Sequence, residues 1–600
     1  MMWRVAACSG DAEARLRWTV VGVLLAALCT YGASIGSGIF QYDDLHSIVG
    51  NLRLRSLTHV PSYFTDPGSF TTLTFGGMFR PLVLLSYALT DALFGENAAA
   101  YHFGNVAIHA ASGVAVAVVL LRLGVGGVVS GLAALLFVCH PLNTEAAVYI
   151  SSRAESMCTL FLLVSFYLWL GGSSQRSGWR THAGLVAAPV AFAMALMCKS
   201  VAVVYPLLLL SCDIIRQRRH TEEEGGWRRG LWRHGPCWVV AGVYLFVVSG
   251  ALGKALIAEP VRGPAVQLWT QSKALVYYAR LIMLPRGLSV EHAFAESSTI
   301  WDATVLLALG VLISGVVVTV RSVGTSSSTG FWLAWMPLVL MPTLIVPLNV
   351  LVNEHRLYPV MVAATFLVLQ VMKRPPWGLS ATVVLVLLLG VLAHQRAQVW
   401  ASPMTLWSDA SAKAPRMPRP YLFVGDAHFQ AARHEQALTS YAQAEKVNPQ
   451  RLSPGDQLAL HNNRGAVLLA LGRNTEAESS YEAALRLVPD YPPAVEALEG
   501  LRAIRGQATR HPEAEAMRRS GLMHMVAGDL VAAEQALRAS LLLQNDSRTR
   551  LALALVYERQ QQPHKAAAIY RELLRSEASP ATLEKAGRGM QNLRSGGVAE

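Results

Sequence analysis

The sequence predicts an all-α protein in which a multi-pass membrane domain is followed by a soluble α-solenoid. Hydrophobic residues make up 53% of the 600-residue chain and charged residues only 15%, whereas globular proteins carry about 25% charged residues. The apolar residues gather in repeated runs within residues 18–394, and residues 400–600 have the composition of soluble helices with an internal repeat. We therefore expect a polytopic membrane protein with an appended helical domain.

Eleven apolar runs are candidate membrane spans, because about 20 apolar residues are needed to cross a bilayer core of roughly 30 Å. They lie at approximately 18–39, 102–121, 126–146, 154–171, 183–197, 201–215, 236–253, 300–320, 330–348, 357–372 and 377–394. Several are shorter than a full span, so the helices would extend into flanking residues or tilt. Residues 268–284 include Lys273 and Arg280 and are placed at the membrane interface.

The positive charge of the chain, formally +12, orients these helices. Short Arg-rich loops stay on the cytoplasmic side, and one such loop carries Arg216, Arg218, Arg219, Arg228, Arg229 and Arg233. The basicity is therefore interpreted as topology rather than nucleic-acid binding. With residues 1–17 in the cytoplasm, eleven crossings place 40–101, 140–152, 254–299, 349–356 and the soluble domain on the external or lumenal side. One miscounted helix would reverse the side of the soluble domain.

An internal repeat defines the soluble domain. Gly425 and Gly465 are each followed by matching residues of the repeat at the same offsets of 3, 12, 16, 19 and 24 residues. These positions hold His428, Ala437, Tyr441, Ala444 and Pro449 in one unit and Leu468, Ala477, Tyr481, Ala484 and Pro489 in the other. This is the tetratricopeptide spacing, in which small residues lie where two antiparallel helices touch. Stacked units form a concave groove, whose role is either simple stability or, as we favour, gripping a polypeptide.

These patterns divide the chain into regions. Residues 1–17 are the cytoplasmic amino terminus, 18–394 the membrane domain with its first external loop at 40–101, 395–416 a linker and 417–600 the repeat domain. About four repeats are expected, at 418–451, 458–491, 514–547 and 547–580.

The acidic pair Asp43-Asp44 follows the first apolar run directly. Paired carboxylates are thereby presented at the membrane surface, where the headgroup of a lipid-linked substrate would lie. A carboxylate there can act as general base on a hydroxyl. Two adjacent carboxylates are also weak evidence for a divalent cation, so a metal stays undecided.

Further polar residues border the apolar runs, where charged groups usually face a cavity. His102, Asn105 and His109 share one face of a predicted helix, either as a helix-packing stripe or, as we prefer, as a cavity lining. Arg153 is expected either to bind a phosphate through bidentate hydrogen bonds or to pair with a neighbouring glutamate. Other candidates for the phosphate or the cavity are Arg80, Lys199, His355, Arg356, His140, Glu145, Glu155 and Glu354.

Several chemistries lack their motifs in this sequence. The sequence has none of four common catalytic or nucleotide-binding motifs in a usable context. These are a Walker loop, a dinucleotide fingerprint, a zinc-ligand helix and a Gly-x-Ser-x-Gly elbow. The seven cysteines show neither a disulfide framework nor zinc spacing. The energy of a reaction would therefore come from an activated lipid donor rather than from ATP hydrolysis, and the sequence requires no other cofactor.

An ordered set of motifs resembles the TMTC family of transmembrane and tetratricopeptide-repeat-containing proteins. The motifs are Phe-Gln-Tyr-Asp-Asp-Leu-His-Ser-Ile-Val-Gly-Asn (40–51), Phe-Arg-Pro-Leu (79–82), Tyr-His-Phe-Gly-Asn-Val-Ala-Ile-His (101–109), His-Pro-Leu-Asn-Thr-Glu-Ala (140–146), Ser-Ser-Arg-Ala-Glu (151–155) and Asn-Glu-His-Arg-Leu-Tyr (353–358). The resemblance covers nearly the whole chain. One departure is Lys199-Ser200, where many relatives have Lys-Glu.

The resemblance implies a GT-C type protein O-mannosyltransferase of the endoplasmic reticulum membrane that uses dolichyl-phosphate mannose and has a lumenal repeat domain. Asp43 and Asp44 match the family's acidic motif and would take the proton from an acceptor Ser or Thr. Candidates for the donor phosphate would be Arg80, Arg153, Lys199, His355 and Arg356. Bacterial chains of similar layout exist, so a polyprenyl-phosphate donor in a bacterial inner membrane, with periplasmic repeats, stays open.

Three functions compete at this point. The leading one is sugar transfer to a polypeptide held by the repeats. The second is a non-enzymatic membrane scaffold whose repeats recruit a partner, in which the acidic pair would be dispensable. The third is a transporter, ranked last because paired broken helices in inverted repeats are not evident.

Overall fold

The computed structural model describes residues 10–72, 78–172, 179–217, 226–253, 256, 261–324, 328–508, 512–576 and 580–595. Within these ranges the regular structure is entirely helical, which confirms the predicted all-α class. Two compact units divide the chain, one ending at Leu471 and the other beginning at Gly472.

The helices of the first 400 residues form a layered bundle. They are α1 (Gly10–Ser37), α2 (Val60–Thr65), α3 (Pro81–Phe94), α4 (Ala98–Arg122), α5 (Gly127–Cys139), α6 (Thr144–Val148), α7 (Arg153–Gly172), α8 (Trp179–Leu196), α9 (Tyr205–Gln217), α10 (Gly226–Val247), α11 (Ser249–Gly253), α12 (Pro264–Met283), α13 (Ala303–Gly324), α14 (Ser328–Ile345), α15 (Tyr358–Met372) and α16 (Gly378–Val399). Helix α1 packs against α4, α5 and α16, and α7 packs against α4 and α8. One apolar core joins these contacts.

The count of eleven spans is not confirmed. In the described ranges, six helices are long and apolar enough to cross a membrane, or up to seven if the helices at 127–139 and 141–148, which meet at a bend of 55°, form one span. Other apolar helices, including Val186–Leu196 and Ser200–Ile215, have only 10–17 residues, fewer than the roughly 20 that span the hydrocarbon core. A hydropathy pattern finds the apolar helices but does not say which of them cross.

The remaining helices build the solenoid and the segment before it. They are α17 (Pro403–Lys413), α18 (Pro418–Gln430), α19 (His434–Lys446), α20 (Pro454–Ala470), α21 (Asn474–Leu487), α22 (Pro492–Ala508), α23 (Pro512–Ala527), α24 (Leu530–Leu543), α25 (Ser547–Arg559), α26 (Pro563–Leu574) and α27 (Pro580–Ser595). Helix pairs α18 and α19, α23 and α24, and α25 and α26 pack as hairpins. The small and aromatic residues of the repeat pattern, such as Ala437, Tyr441, Ala566 and Tyr570, are buried in them.

The segment predicted as a linker, 395–416, is largely helical. Helix α16 continues to Val399, and α17 follows after a Ser402 cap whose hydroxyl accepts a hydrogen bond from the Thr405 amide. Trp407 of α17 is buried and belongs to the same apolar core as the membrane helices. The first repeat helices therefore share a compact unit with the preceding helices, and the division of the chain falls after Leu471 rather than at the start of the repeats.

A glycine sets the closest approach in the first repeat. A Cβ atom added at Gly425 of α18 would overlap the ring of Tyr441 on α19. The Tyr441 hydroxyl meanwhile donates a hydrogen bond of 2.7 Å to Asp426, which fixes the ring against the glycine. The repeat spacing thus places a glycine where only a hydrogen fits.

Replacing Gly425 by Ala should lower the free energy of unfolding by about 1–3 kcal/mol, because overpacking outweighs the better helix propensity of alanine. The matched control is Gly500→Ala in α22, where an added Cβ meets no atom within 4 Å. The measurement is the thermal unfolding midpoint of both variants. Equal midpoints for Gly425→Ala and the wild type would contradict the assigned helix contact.

Candidate functional site

The two carboxylates of the acidic pair have different surroundings. Asp44 is only 1% exposed. Its carboxylate accepts a hydrogen bond of 3.2 Å from the backbone amide of Gln41. It also accepts hydrogen bonds from the backbone amide and the hydroxyl of Ser151, at 2.9 and 2.5 Å. Burial raises the pKa of Asp44 to about 7. These bonds occupy both carboxylate oxygens, so Asp44 ties the acidic loop to the turn that precedes α7.

Asp43 is the accessible member of the pair. Its side chain is 44% exposed, and Oδ1 lies 3.3 Å from Nε2 of His46. The other ring nitrogen of His46 lies 2.8 Å from the hydroxyl of Thr71. A general base must come within hydrogen-bonding reach of the proton that it removes, and this geometry favours Asp43 over Asp44 for that role.

A cluster of cations and carboxylates joins the first turns of α6 and α7 to the segments that carry Lys199 and His355. Nδ1 of His355 lies 2.7 Å from Glu145 Oε1, and Nε2 lies 3.1 Å from Glu155 Oε1. Lys199 makes an ion pair with Glu155. Of the two contacts of His355, the one between Nδ1 and Glu145 is a hydrogen bond, and the one between Nε2 and Glu155 is an ion-pair distance.

Two arginines border this cluster. Arg356 is half-buried and donates to the carbonyls of Val350 and Leu351 at 2.7 and 3.1 Å. The Cζ atom of Arg80 lies 5.1 Å from the ring centroid of Phe70. Four charged groups interact electrostatically with His355, namely those of Arg80, Lys199, Arg356 and Asp43. The structure therefore brings Glu145, Glu155, Lys199 and His355 into contact, and Asp43, Arg80 and Arg356 lie within electrostatic range of them.

Arg153 does not join this group. Its guanidinium is buried and donates to Asn105 Oδ1 at 2.7 Å, to the Tyr101 carbonyl at 2.8 Å, and at 3.3–3.4 Å to Ser86 and Thr90. These contacts fit neither expectation for Arg153. It does not pair with Glu145 or Glu155, because its partners are amide, carbonyl and hydroxyl groups. Each guanidinium nitrogen already donates to one of these groups, so a phosphate is not its partner either. Arg153 joins α3, α4 and α7.

The polar stripe of α4 makes packing contacts, the alternative kept open above. His102 contacts the carbonyl of Ile39 at 3.0 Å. His109 is fully buried and contacts the Tyr358 hydroxyl at 2.8 Å and the carbonyl of Val138 at 3.2 Å. These rings and Asn105 hold neighbouring segments together.

His140 and Glu354 also have structural partners. His140 accepts the amide of Leu142 at 3.3 Å, and its other ring nitrogen lies 3.2 Å from the Ile282 carbonyl. Glu354 accepts the amide of Ser289 at 2.5 Å, and its carboxylate lies 3.3 Å from His292 and 3.9 Å from Arg396.

Sequence reasoning missed several residues around the acidic loop. The Tyr149 hydroxyl accepts the Asp43 amide at 3.1 Å, and its ring stacks on Trp400 at a centroid distance of 5.3 Å. Arg396 pairs with Asp409 at 3.0 Å. The available signal was the pair of tryptophans, Trp400 and Trp407, inside the segment interpreted as a linker. Two tryptophans in a segment predicted to be an exposed linker indicate that the segment packs against the rest of the chain.

A divalent cation remains undecided. In the part of the chain that the structure describes, no group of three or more His, Cys, Asp or Glu side chains is arranged to hold a metal ion.

Comparisons with known proteins agree with this division into two domain types. Residues 76–256 match the family model described as dolichyl-phosphate-mannose-protein mannosyltransferase, and residues 425–492 match a tetratricopeptide repeat model. Among solved structures, one match is the archaeal oligosaccharyltransferase AglB from Archaeoglobus fulgidus. The match spans 67% of this chain and 58% of the AglB chain at 12% identity. Its TM-score is 0.39, which is too low to carry an argument.

Two relatives illustrate the similarity of sequence. The protein O-mannosyl-transferase Tmtc3 of Drosophila melanogaster is 25% identical over 79% of this chain and 59% of its own length. The protein O-mannosyl-transferase TMTC2 of Homo sapiens is 35% identical over 25% of this chain and 19% of its own length. The chain thus spans less than two thirds of the length of these relatives.

Together, the helical fold and the two family models define a membrane protein that joins a mannosyltransferase-type domain to tetratricopeptide repeats. Within that class, the chain is similar over most of its length to protein O-mannosyl-transferases of the TMTC family, the family that its motifs resemble.

Replacing Glu155 by Gln should destabilise the fold by about 3–5 kcal/mol, because Lys199 would lose the carboxylate that compensates a buried charge. The control is Glu572→Gln, since Glu572 is 63% exposed and pairs with Arg550 at 3.0 Å on the surface. Such a pair contributes about 0–1 kcal/mol. The measurement is the thermal unfolding midpoint of both variants in the same detergent. Equal midpoints for Glu155→Gln and Glu572→Gln would contradict the assigned cluster.

Proposed function

We propose that this chain is a protein O-mannosyltransferase. It would move mannose from dolichyl-phosphate mannose, or another polyprenyl-phosphate sugar, to a Ser or Thr hydroxyl of a polypeptide. The observation that carries the proposal is the meeting of an accessible carboxylate, Asp43, with a group of cations at a single site. The names of the similar proteins agree with this reaction.

The proposed step balances with the groups at hand. The acceptor oxygen attacks the anomeric carbon, the bond from that carbon to the phosphate oxygen breaks, and Asp43 takes the hydroxyl proton. Polyprenyl phosphate leaves with the bonding electrons. Negative charge grows on its phosphate as the bond breaks, and cationic groups aimed at such charge stabilise the transition state.

Arg80, Lys199 and Arg356 are the proposed partners of that phosphate. Arg80 is half-buried beside Phe70, and Lys199 is held by Glu155 at the edge of the cluster. Each acts electrostatically on His355, which supports a common phosphate site for the three cations. Asp44 is proposed as a positioning residue, because its hydrogen bonds to Gln41 and Ser151 fix the loop that carries Asp43.

The repeats would supply the acceptor. A groove of stacked helical hairpins suits an extended polypeptide, and a tethered acceptor reaches an effective concentration in the millimolar range for short linkers. Rings of the acidic loop touch the first repeat helix, since Tyr42 lies 5.2 Å from Phe423 between ring centroids. This contact supports one membrane face for both parts.

We propose the endoplasmic reticulum membrane with lumenal repeats as the location. A bacterial inner membrane with periplasmic repeats is the alternative. In either case the lipid bilayer and the lipid-linked donor are the first partners of the chain.

Replacing Asp43 by Asn should lower the rate of sugar transfer by roughly 10²–10⁴-fold, because the general base is lost. Binding of the donor should persist. The measurement is transfer of radiolabelled mannose from dolichyl-phosphate mannose to protein in membranes that contain the full chain.

The matched control is Asp66→Asn, in the same loop. Asp66 is 48% exposed and pairs with Arg53 at 2.6 Å rather than with a residue of the cluster, so transfer should stay near the wild-type rate. Undiminished transfer by Asp43→Asn would refute the catalytic role. A scaffold, the competing function, would tolerate both substitutions and lose its effect only when the repeats are deleted.

A further inference from the structure

The residue before the proposed base has an unusual backbone conformation. Tyr42 has a φ of 56°, in the left-handed region that residues with a Cβ atom rarely adopt. Such a conformation persists only when the surroundings hold it. Because Tyr42 directly precedes Asp43, whatever holds Tyr42 also sets the direction of the Asp43 side chain.

Three of the groups around the Tyr42 ring come from the two helices α17 and α18, at the start of the solenoid. Trp407 lies edge-on at 5.4 Å and Phe423 edge-on at 5.2 Å between ring centroids. The Cζ atom of Arg419 lies 5.1 Å from the centre of the ring. Trp407 and Phe423 stack on each other at 4.2 Å, so they form a single surface for Tyr42.

The loop also contacts the membrane domain. Tyr149 stacks against Tyr42 at a centroid distance of 5.9 Å and accepts the Asp43 backbone amide through its hydroxyl. Tyr149 and the groups of α17 and α18 thus form an enclosure around Tyr42, whose contacts hold its left-handed conformation.

Charged contacts anchor the solenoid side of this enclosure. Arg419 lies 3.3 Å from Glu291, whose side chain is buried, and 3.8 Å from Asp456 of α20. Lys413 of α17 donates to the carbonyl of Leu288 at 2.7 Å. The segment that contains Leu288 and Glu291 therefore fastens α17 and α18 against the acidic loop.

We infer that Trp407, Arg419 and Phe423 are positioning residues for the reaction, and that helices α17 and α18 are a part of the active site. They act through Tyr42 and orient Asp43. This inference rests on the proposed function. The positioning role of these residues differs from the role of the repeats as a tether. A tether raises the local concentration of the acceptor and leaves the rate of the chemical step unchanged.

The test uses the full chain in lipid nanodiscs with dolichyl-phosphate mannose and a short synthetic Thr-rich peptide. Phe423→Ala should lower kcat by roughly 10²-fold, the effect of a misplacement of about 1 Å, with the KM for the peptide unchanged. Phe423→Tyr keeps the ring and should keep kcat. Arg419→Gln is the second variant and should lower kcat in the same direction.

The matched control is Phe429→Ala on the same helix. The ring of Phe429 lies 5.7 Å from that of His434 inside the repeat and packs on the repeat core. This variant loses the same atoms yet should keep kcat. A wild-type kcat in Phe423→Ala, or a rise in peptide KM alone, overturns the inference.

Hydrogen exchange of residues 41–49 gives a readout that does not depend on activity. Exchange there should speed up in Phe423→Ala and stay at the wild-type rate in Phe429→Ala. If the wild type transfers no mannose while this difference is seen, the proposed function fails and the structural coupling stands. Equal exchange in both variants overturns the coupling itself.

Discussion

The structure depends on mutual compensation among charged groups that its loops hold away from water. Glu155 contacts both Lys199 and His355, and Glu145 contacts the second nitrogen of the same histidine. An isolated charge in such a place would be costly, and a partner of opposite charge offsets much of that cost. Loops that are distant in sequence are therefore joined by charge, and the acidic loop lies beside them.

The same constraint explains why neighbouring residues have different roles. Asp44 satisfies two backbone amides and is enclosed, whereas Asp43 keeps part of its surface accessible. Arg153 satisfies Asn105 and backbone carbonyls, so it joins helices instead of facing a ligand. In each case the hydrogen-bond partners, and not the residue type, decide between structure and chemistry.

Helices and repeats were predictable because their signals are local. The apolar runs and the offsets after Gly425 and Gly465 follow from helix geometry and from the close packing of hairpins. Which helices cross the membrane was not predictable, because Val186–Leu196 and Ser200–Ile215 are apolar but short. The site was predictable only in part. Lys199 and His355 share a contact with Glu155, and Asp43 and Arg356 lie within electrostatic range of His355. The partners of Arg153 and the packing of Tyr42 on Trp407 arise from tertiary contacts that no spacing encodes.

A structure of the full chain in nanodiscs with bound dolichyl phosphate would show where the donor binds. We expect the phosphate among Arg80, Lys199 and Arg356, with the Asp43 carboxylate facing the space where an acceptor hydroxyl would approach. A phosphate bound elsewhere, or one from which Asp43 points away while Asp44 faces it, would refute Asp43 as the base of sugar transfer.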